Sequence, residues 1–214
     1  YSVGGLSYGN LSARKDETRF WMSASGVDKS KLESVGRDIL MVKDFDDDRG
    51  IIVLSVPPGI EPRRVSVDAI EHWMIYQAHP DVGAILHVHA WMQGIAATDI
   101  NYPCGTAELA GAVSDLMAAA PDPAHAVIGL RNHGITATGE SLSEILDRIE
   151  SSILRQVPMT YRGRYASTSR SLSTLRIASS GTSTTSLAMH QTHTASITTS
   201  CRMTRYAANA TATS

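Results

Sequence analysis

Three histidines are the residues of this chain best suited to chemistry. His87 and His89 stand one residue apart in "AILHVHAW" (84–91), and His133 stands in "GLRNHG" (129–134). Side chains at i and i+2 of a strand point to the same face, so both imidazoles of the pair look one way while Val88 looks the other. Imidazole is the usual zinc ligand, yet a pair is half a site, and a strand ending in two surface histidines would carry the same letters. His133 precedes Gly134 at the junction of a strand and a sharp turn, a place suited to presenting a side chain. Alone it reads as structural. Beside the pair it makes a set of three neutral imidazoles, which leaves one coordination position open, as catalytic zinc sites do. Other divalent ions also suit such a site.

Positioning these groups requires strands and covering helices. "RFWMSAS" (19–25), "DILMVKDF" (38–45) and "GIIVLSV" (50–56) read as strands, the last two joined by a hairpin turn in the acidic "DFDDDRG". "PPGIEPRR" is a loop, because its three prolines break both kinds of ladder. The spacing predicts a helix from Val67 to about His79 with Ile70, Trp73, Met74 and Gln77 near one face, then the histidine strand over 83–89. "MQGIAATDINYPCG" reads as loop and short strand, and 106–120 as a helix with a stripe of Leu109, Val113, Leu116 and Met117. Residues 125–139 read as two strands interrupted by "NHG". Ser141 with Glu144 makes a capping box opening a helix to about Leu154, with Leu142, Ile145, Leu146, Ile149 and Ile153 as its apolar stripe. Trp73 and Trp91 are expected in the core. Antiparallel hairpins mixed with covering helices indicate a layered α/β domain. No GxGxxG or Walker loop occurs, so nucleotide binding has no motif behind it.

Composition narrows the function classes. With 43% hydrophobic residues in 214, the chain can hold one ordinary domain with a sizeable core. A net charge of −2 gives no argument for nucleic acid or an acidic membrane surface, and no apolar run approaches the length of a bilayer span. Cys104 and Cys201 are the two cysteines, which implies no disulfide framework and makes a reducing cytoplasm the default. All 21 acidic residues lie in 1–160 against 13 Lys and Arg, whereas 161–214 carries six Arg, no acid, no Pro and 23 Ser or Thr. Such a segment cannot bury enough surface to offset its ordering entropy. We therefore divide the chain into a domain over 1–158 and a low-complexity tail over 159–214, either natural and disordered or translated from a shifted reading frame.

The order and spacing of "GNLSAR", "SASGVDKSKL", "HPDVGAILHVHAW", "YPCGTAELA" and "LRNHG" resemble the class II aldolase/adducin family, in particular its fuculose-phosphate aldolase and ribulose-phosphate 4-epimerase branch. The resemblance covers 1–158; the helix that such proteins carry before "GNLS" is missing, so the chain looks truncated there. It implies a three-layer α/β/α sandwich around a mostly antiparallel mixed sheet, a homotetramer, and zinc, or another divalent cation, on His87, His89 and His133. It places the family's acid/base at Asp68, where the family usually has Glu. Aspartate is one methylene shorter, and catalytic distances hold near about 3 Å, so Glu71 one turn on is a second candidate; a plain helix-start carboxylate at Asp68, favoured by the dipole, is the bland alternative. For a substrate phosphate the resemblance points to Asn10, Ser25, Gly26 and Ser66, although glycine and serine pairs are also ordinary turn chemistry. Val67 stands where the family has a second serine, which puts a phosphorylated substrate in doubt.

The activity implied is that of a zinc-dependent aldehyde-lyase. A small ketose phosphate or hydroxy-carbonyl compound would chelate the cation, which stabilises the enediolate left when the neighbouring C–C bond breaks. Epimerisation and dehydration pass through related chemistry on this scaffold, and adducin-like members serve as non-catalytic binding modules, usually without the histidines. Cys104, in "YPCGT", is weighed as a nucleophile and set aside as an incidental loop cysteine, and Tyr102 as a packing residue.

Overall fold

Alternation along the strands decides which residues the helices cover. The computed structural model describes residues 2–3, 6–61 and 63–160. After a two-residue hairpin of β1 (Ser2–Val3) and β2 (Leu6–Ser7) come β3 (Asn10–Arg14), β4 (Phe20–Ser23), β5 (Ile39–Asp46), β6 (Ile51–Ser55), α1 (Ala69–Ala78) and β7 (Ala84–Val88). They are followed by α2 (Ala107–Ala118), β8 (Val127–Leu130), β9 (Gly134–Gly139) and α3 (Leu142–Ile149). Strands β3 to β9 form one sheet in the order β6-β5-β4-β3-β7-β9-β8, and every neighbouring pair is antiparallel.

On one face Ile85, Phe20, Met22 and Leu40 pack with Ile75 and Tyr76 of α1 and with Leu109, Val113 and Met117 of α2. On the other, Ala84, Leu86, Ile135 and Ala137 pack with Ile145 and Ile149 of α3. The result is the expected three-layer α/β/α sandwich, with the histidine strand at its centre and buried on both sides. Full burial of Ile145 and Ile149 contributes roughly 1.5–3 kcal/mol each, which fastens α3 beneath that strand.

Several elements differ in detail from the sequence pattern. Helix α1 turns Asp68, Glu71, His72, Ile75 and Tyr76 toward the sheet, all buried, while Trp73 and Met74 are half-buried and Gln77 is exposed. Of the expected stripe Ile70 is buried, whereas the side turned to the sheet is polar in its first turn, with Asp68, Glu71 and His72, and apolar in the next, with Ile75 and Tyr76. Trp73 and Trp91 lie at the margins of the two cores, half-buried. In α3 the Ser141 hydroxyl accepts the Glu144 N–H at 3.2 Å. The Glu144 carboxylate turns instead to Arg148 at 2.7 Å, so the box is half-formed. Leu146 is 49% exposed, and a 3-10 turn over Glu150–Ser152 ends the helix short of Leu154. Residues 92–105 form no strand, contributing a single bridge from Ala97 to Gly129.

The end of α1 is fixed by Arg14. Its guanidinium donates to the carbonyls of Tyr76 and His79 at 2.9 Å each and of Val82 at 2.7 Å, satisfying carbonyls that the last helical turn leaves open. The chain then enters β7 at a set height. Residues 161–214, and with them most of the tail inferred from composition, lie outside the described residues. Among the described residues no helix is long and apolar enough to cross a membrane.

Candidate metal centre and the polar groups behind it

The sheet register assembles the centre. His87 on β7 stands opposite Asn10 on β3 and opposite Thr136 on β9, so the three side chains form a row across the middle of the sheet, on the face covered by α1. His89 follows one residue beyond the end of β7. His133 is carried by the turn between β8 and β9, where Asn132 takes a left-handed φ of 58°, a conformation asparagine tolerates better than most residues. The His133 N–H closes that turn on the Leu130 carbonyl at 3.0 Å. A Cβ on Gly134 would lie 2.3 Å from the Val88 carbonyl oxygen. Only glycine lets the start of β9 press so closely on the end of β7 and bring His133 to His89.

The three imidazoles converge. Their ring centroids are 4.7, 4.7 and 5.2 Å apart, one nitrogen from each lies within 4.8 Å of the others, and Nε2 of His133 is 3.1 Å from Nε2 of His89. Zinc held tetrahedrally at 2.0–2.1 Å sets its nitrogen ligands about 3.3 Å apart, so only small ring movements separate this arrangement from a coordinating one. The His87 tautomer follows from its partners. Nδ1 lies 3.0 Å from the Ile135 carbonyl oxygen, which can only accept, so Nδ1 carries the proton and Nε2 keeps its lone pair. That Nε2 is buried and has no hydrogen-bond partner. An orphaned lone pair facing two further imidazoles fits a cation.

Electrostatics keep these rings neutral. Burial, then the neighbouring imidazoles, holds His87 well below the usual histidine range, and burial followed by His133 pushes His89 down to about 4. His133 is lowered by burial and partly restored by Asp68. Neutral imidazoles are the ligating form.

Two carboxyls lie behind them. Asp68, just before α1, makes no capping bond with its side chain; its Oδ2 accepts from Asn10 Nδ2 at 2.7 Å, and the Gly105 N–H also bonds to the carboxylate. Burial raises its pKa against the pull of His133. Glu71 accepts the Thr136 hydroxyl at 2.6 Å and is pushed up to about 8, first by burial and then by the charge of Asp68. Oδ1 of Asp68 and Oε2 of Glu71 have no hydrogen-bond partner. The polar row continues through His72, whose Nδ1 meets the Ser12 hydroxyl at 2.7 Å, and Ser12 meets the Tyr76 hydroxyl at 2.8 Å. Burial pushes His72 down to about 3.

The remaining expected residues separate into two groups. Asn10 is 2% exposed and its amide is committed to Asp68, so it stands behind the carboxyl. Ser25 and Ser66 are half-buried on neighbouring segments, brought together by pairing of Ala24 with Val65 and by the Ser25 N–H donating to the Arg64 carbonyl at 2.8 Å. Gly26 is exposed with a φ of +73° and open space where a Cβ would stand. Cys104, set aside from sequence, has its Sγ 3.6 Å from Nε2 of His133. Its loop also supplies the Gly105 N–H to Asp68, and the half-buried Tyr102 packs against the core. The Tyr8 ring lies 5.7 Å from that of His89. The "YPCGT" string hinted at Cys104; Thr136 had no local signal, because only the β7–β9 register places it beside His87.

Residues 2–100 match the family described as Class II Aldolase and Adducin N-terminal domain. A methylthioribulose-1-phosphate dehydratase of Xanthomonas campestris pv. campestris (strain B100) is 36% identical over 88 residues, 41% of this chain and 35% of that protein. One of Stenotrophomonas maltophilia (strain K279a) is 32% identical over 102 residues, 48% of this chain and 42% of that protein. The matched stretch thus spans between about a third and two fifths of these relatives' length. Among solved structures, an L-fuculose 1-phosphate aldolase has the same fold at a TM-score of 0.51 and 23% identity, over 70% of this chain and 74% of that one. The match to the family model runs through the histidine pair over slightly less than half of this chain, and the likeness of fold extends beyond it, so the chain is similar in sequence over 2–100, and in fold, to class II aldolase/adducin proteins.

Proposed function

We propose that the protein is a metal-dependent lyase for a small ketose phosphate or related hydroxy-ketone, with zinc, or another divalent ion, held by His87, His89 and His133. The observation that carries this reading is the buried, unpartnered Nε2 of His87 set against two further imidazoles, with the negative charge of Asp68 acting on His133. A divalent ion there supplies Lewis-acid stabilisation of the negative charge that develops on adjacent substrate oxygens. Asp68 is the proton carrier: Asn10 fixes its Oδ2, Oδ1 has no partner, and a raised pKa suits a group that both takes and returns a proton. Ser25, Gly26 and Ser66 form the edge that receives the substrate's anionic group, and Asn10 acts from behind by aiming Asp68. The protein is proposed to work as a homotetramer in the cytoplasm, with its domain over 1–158 and the tail uninvolved.

Loss of water is the outcome we favour, because the two relatives named above are dehydratases. Aldol cleavage, expected from the sequence, is the second reading. It needs the same charge stabilisation and differs in the bond that breaks. Retention of all three histidines supports either over an adducin-like binding module.

Zinc stoichiometry of the full chain and of His87→Ala, followed by incubation of the loaded protein with ketose phosphates, tests the proposal. One ion per chain, lost in the variant, with a dehydrated ketone as product, is expected. Folded protein that takes up no ion would leave the binding module in its place, and an aldehyde product would move the assignment to the aldolase reading.

A further inference from the structure

Thr136 lies between the carboxyl of Glu71 and the ring of His87. Its Oγ1 is 2.6 Å from Oε1 of Glu71 and 3.4 Å from Nδ1 of His87. A hydroxyl has one proton to give, and the shorter contact shows where it goes: to the carboxyl oxygen. The oxygen's lone pairs are then left for the Nδ1–H of His87, which also donates to the Ile135 carbonyl at 3.0 Å. The inner edge of the ring is thereby held by two acceptors. Thr136 and Glu71 are 0% and 2% exposed and His87 is 1% exposed, so water does not compete for these contacts. The register of β7 and β9 sets Thr136 directly opposite His87, which fixes the separation of the two backbones.

Resting on the assignment of His87 as a metal ligand, we propose that Thr136 is a positioning residue that locks His87 in the ligating tautomer and orientation, and that Glu71 serves the centre through this hydroxyl rather than by reaching substrate. Glu71 holds the threonine rotamer; the threonine and the Ile135 carbonyl hold the ring; Nε2 is left pointing at the other two histidines. Removing the hydroxyl takes away one of the two acceptors on Nδ1 and frees the ring to turn. The neighbouring Thr138, on the same face of β9 and also 0% exposed, provides a matched comparison. Its hydroxyl donates to the Pro123 carbonyl at 2.7 Å and accepts the Ala126 N–H at 3.0 Å, so it supports the β8–β9 edge and has no bond to Glu71 or His87.

The test is the zinc dissociation constant of the full chain, by competition with a chromophoric chelator, for wild type, Thr136→Val, Thr136→Ser and Thr138→Val, each with its urea midpoint. Thr136→Val is expected to weaken zinc by about 10–100-fold, as loss of a group orienting a ligand does, with Thr136→Ser within about threefold of wild type. Thr138→Val is expected to lower the midpoint and leave zinc affinity in place. Nitrogen-15 shifts of His87 in the zinc-free wild type give a measurement that does not depend on any variant folding, and a proton on Nδ1 is expected. Thr136→Val binding as wild type does, Thr138→Val weakening zinc equally, or a His87 proton on Nε2 would each overturn the inference. Failure of wild type to bind zinc would instead remove the histidine assignment beneath it.

Discussion

Replacing Glu71 with glutamine is expected to change how stability depends on pH, with a sign that follows from its burial. Glu71 is 2% exposed, and burial together with the charge of Asp68 lifts its pKa from 4.5 to about 8. A carboxyl raised in this way binds its proton more tightly in the folded chain than in the unfolded one. Its contribution is fully present below the unfolded value and is lost as pH rises toward the folded value. Between about pH 6.5 and 8 the folded group keeps its proton while the unfolded one has none, and 1.5 units at 1.36 kcal/mol each amount to about 2 kcal/mol. Glutamine keeps an acceptor for the Thr136 hydroxyl and has no proton to lose. The histidines of the centre titrate in both chains and cancel in the comparison. Urea unfolding of the zinc-free wild type and Glu71→Gln, from about pH 6.5 to about pH 8.5, should therefore show the variant gaining about 2 kcal/mol on wild type. A stability gap that stays constant over this window would refute the assignment of a protonated Glu71.

Two further substitutions probe the centre from either side. Asp68→Asn is expected to keep the fold and the bound zinc and to lower turnover by about 100- to 10,000-fold, the range for removal of a general acid/base; undiminished kcat in steady-state assays would take that role from Asp68. Gly134→Ala sets a Cβ 2.3 Å from the Val88 carbonyl oxygen and should cost about 1–3 kcal/mol in urea unfolding while weakening zinc in the same chelator competition, because β9 and His133 must move together. Unchanged stability and affinity would show that the turn yields without disturbing the ligands.

What the sequence disclosed depended on how local each signal was. The histidine pair and the turn histidine were legible because period-two alternation and a glycine-bounded turn are properties of a few adjacent residues, and the structure places all three rings together. The strands around β5 and β6 were legible for the same reason. Helix α1 was legible as a helix and misread as to face. Apolar spacing selected Ile70, Trp73, Met74 and Gln77, whereas the sheet receives Asp68, Glu71, His72, Ile75 and Tyr76. Thr136 and the Gly105 N–H were out of reach, since each meets its partner only through strand register or through a loop that approaches from α2.

On the proposed function, the helix whose face the spacing missed is where the site has displaced the folding pattern. A helix covering a sheet ordinarily presents apolar residues at i, i+3, i+4, i+7 and i+8. Helix α1 does so only in its second half, with Ile75 and Tyr76, and uses the first half for two carboxyls and a histidine. Burying such groups is costly unless they are paired, and pairing is supplied from β3 and β9 by Asn10, Ser12 and Thr136. Each of these three polar residues answers one polar residue of the helix or of its N-terminal end. Yet Asp68 Oδ1, Glu71 Oε2, His72 Nε2 and His87 Nε2 are left without hydrogen bonds. A fold selected for stability alone would have filled this seam with leucine and valine. The excess of lone pairs and protons near the end of β7 is what a site that must bind a cation and pass a proton requires, and the two apolar cores on either side supply the stability that lets it persist.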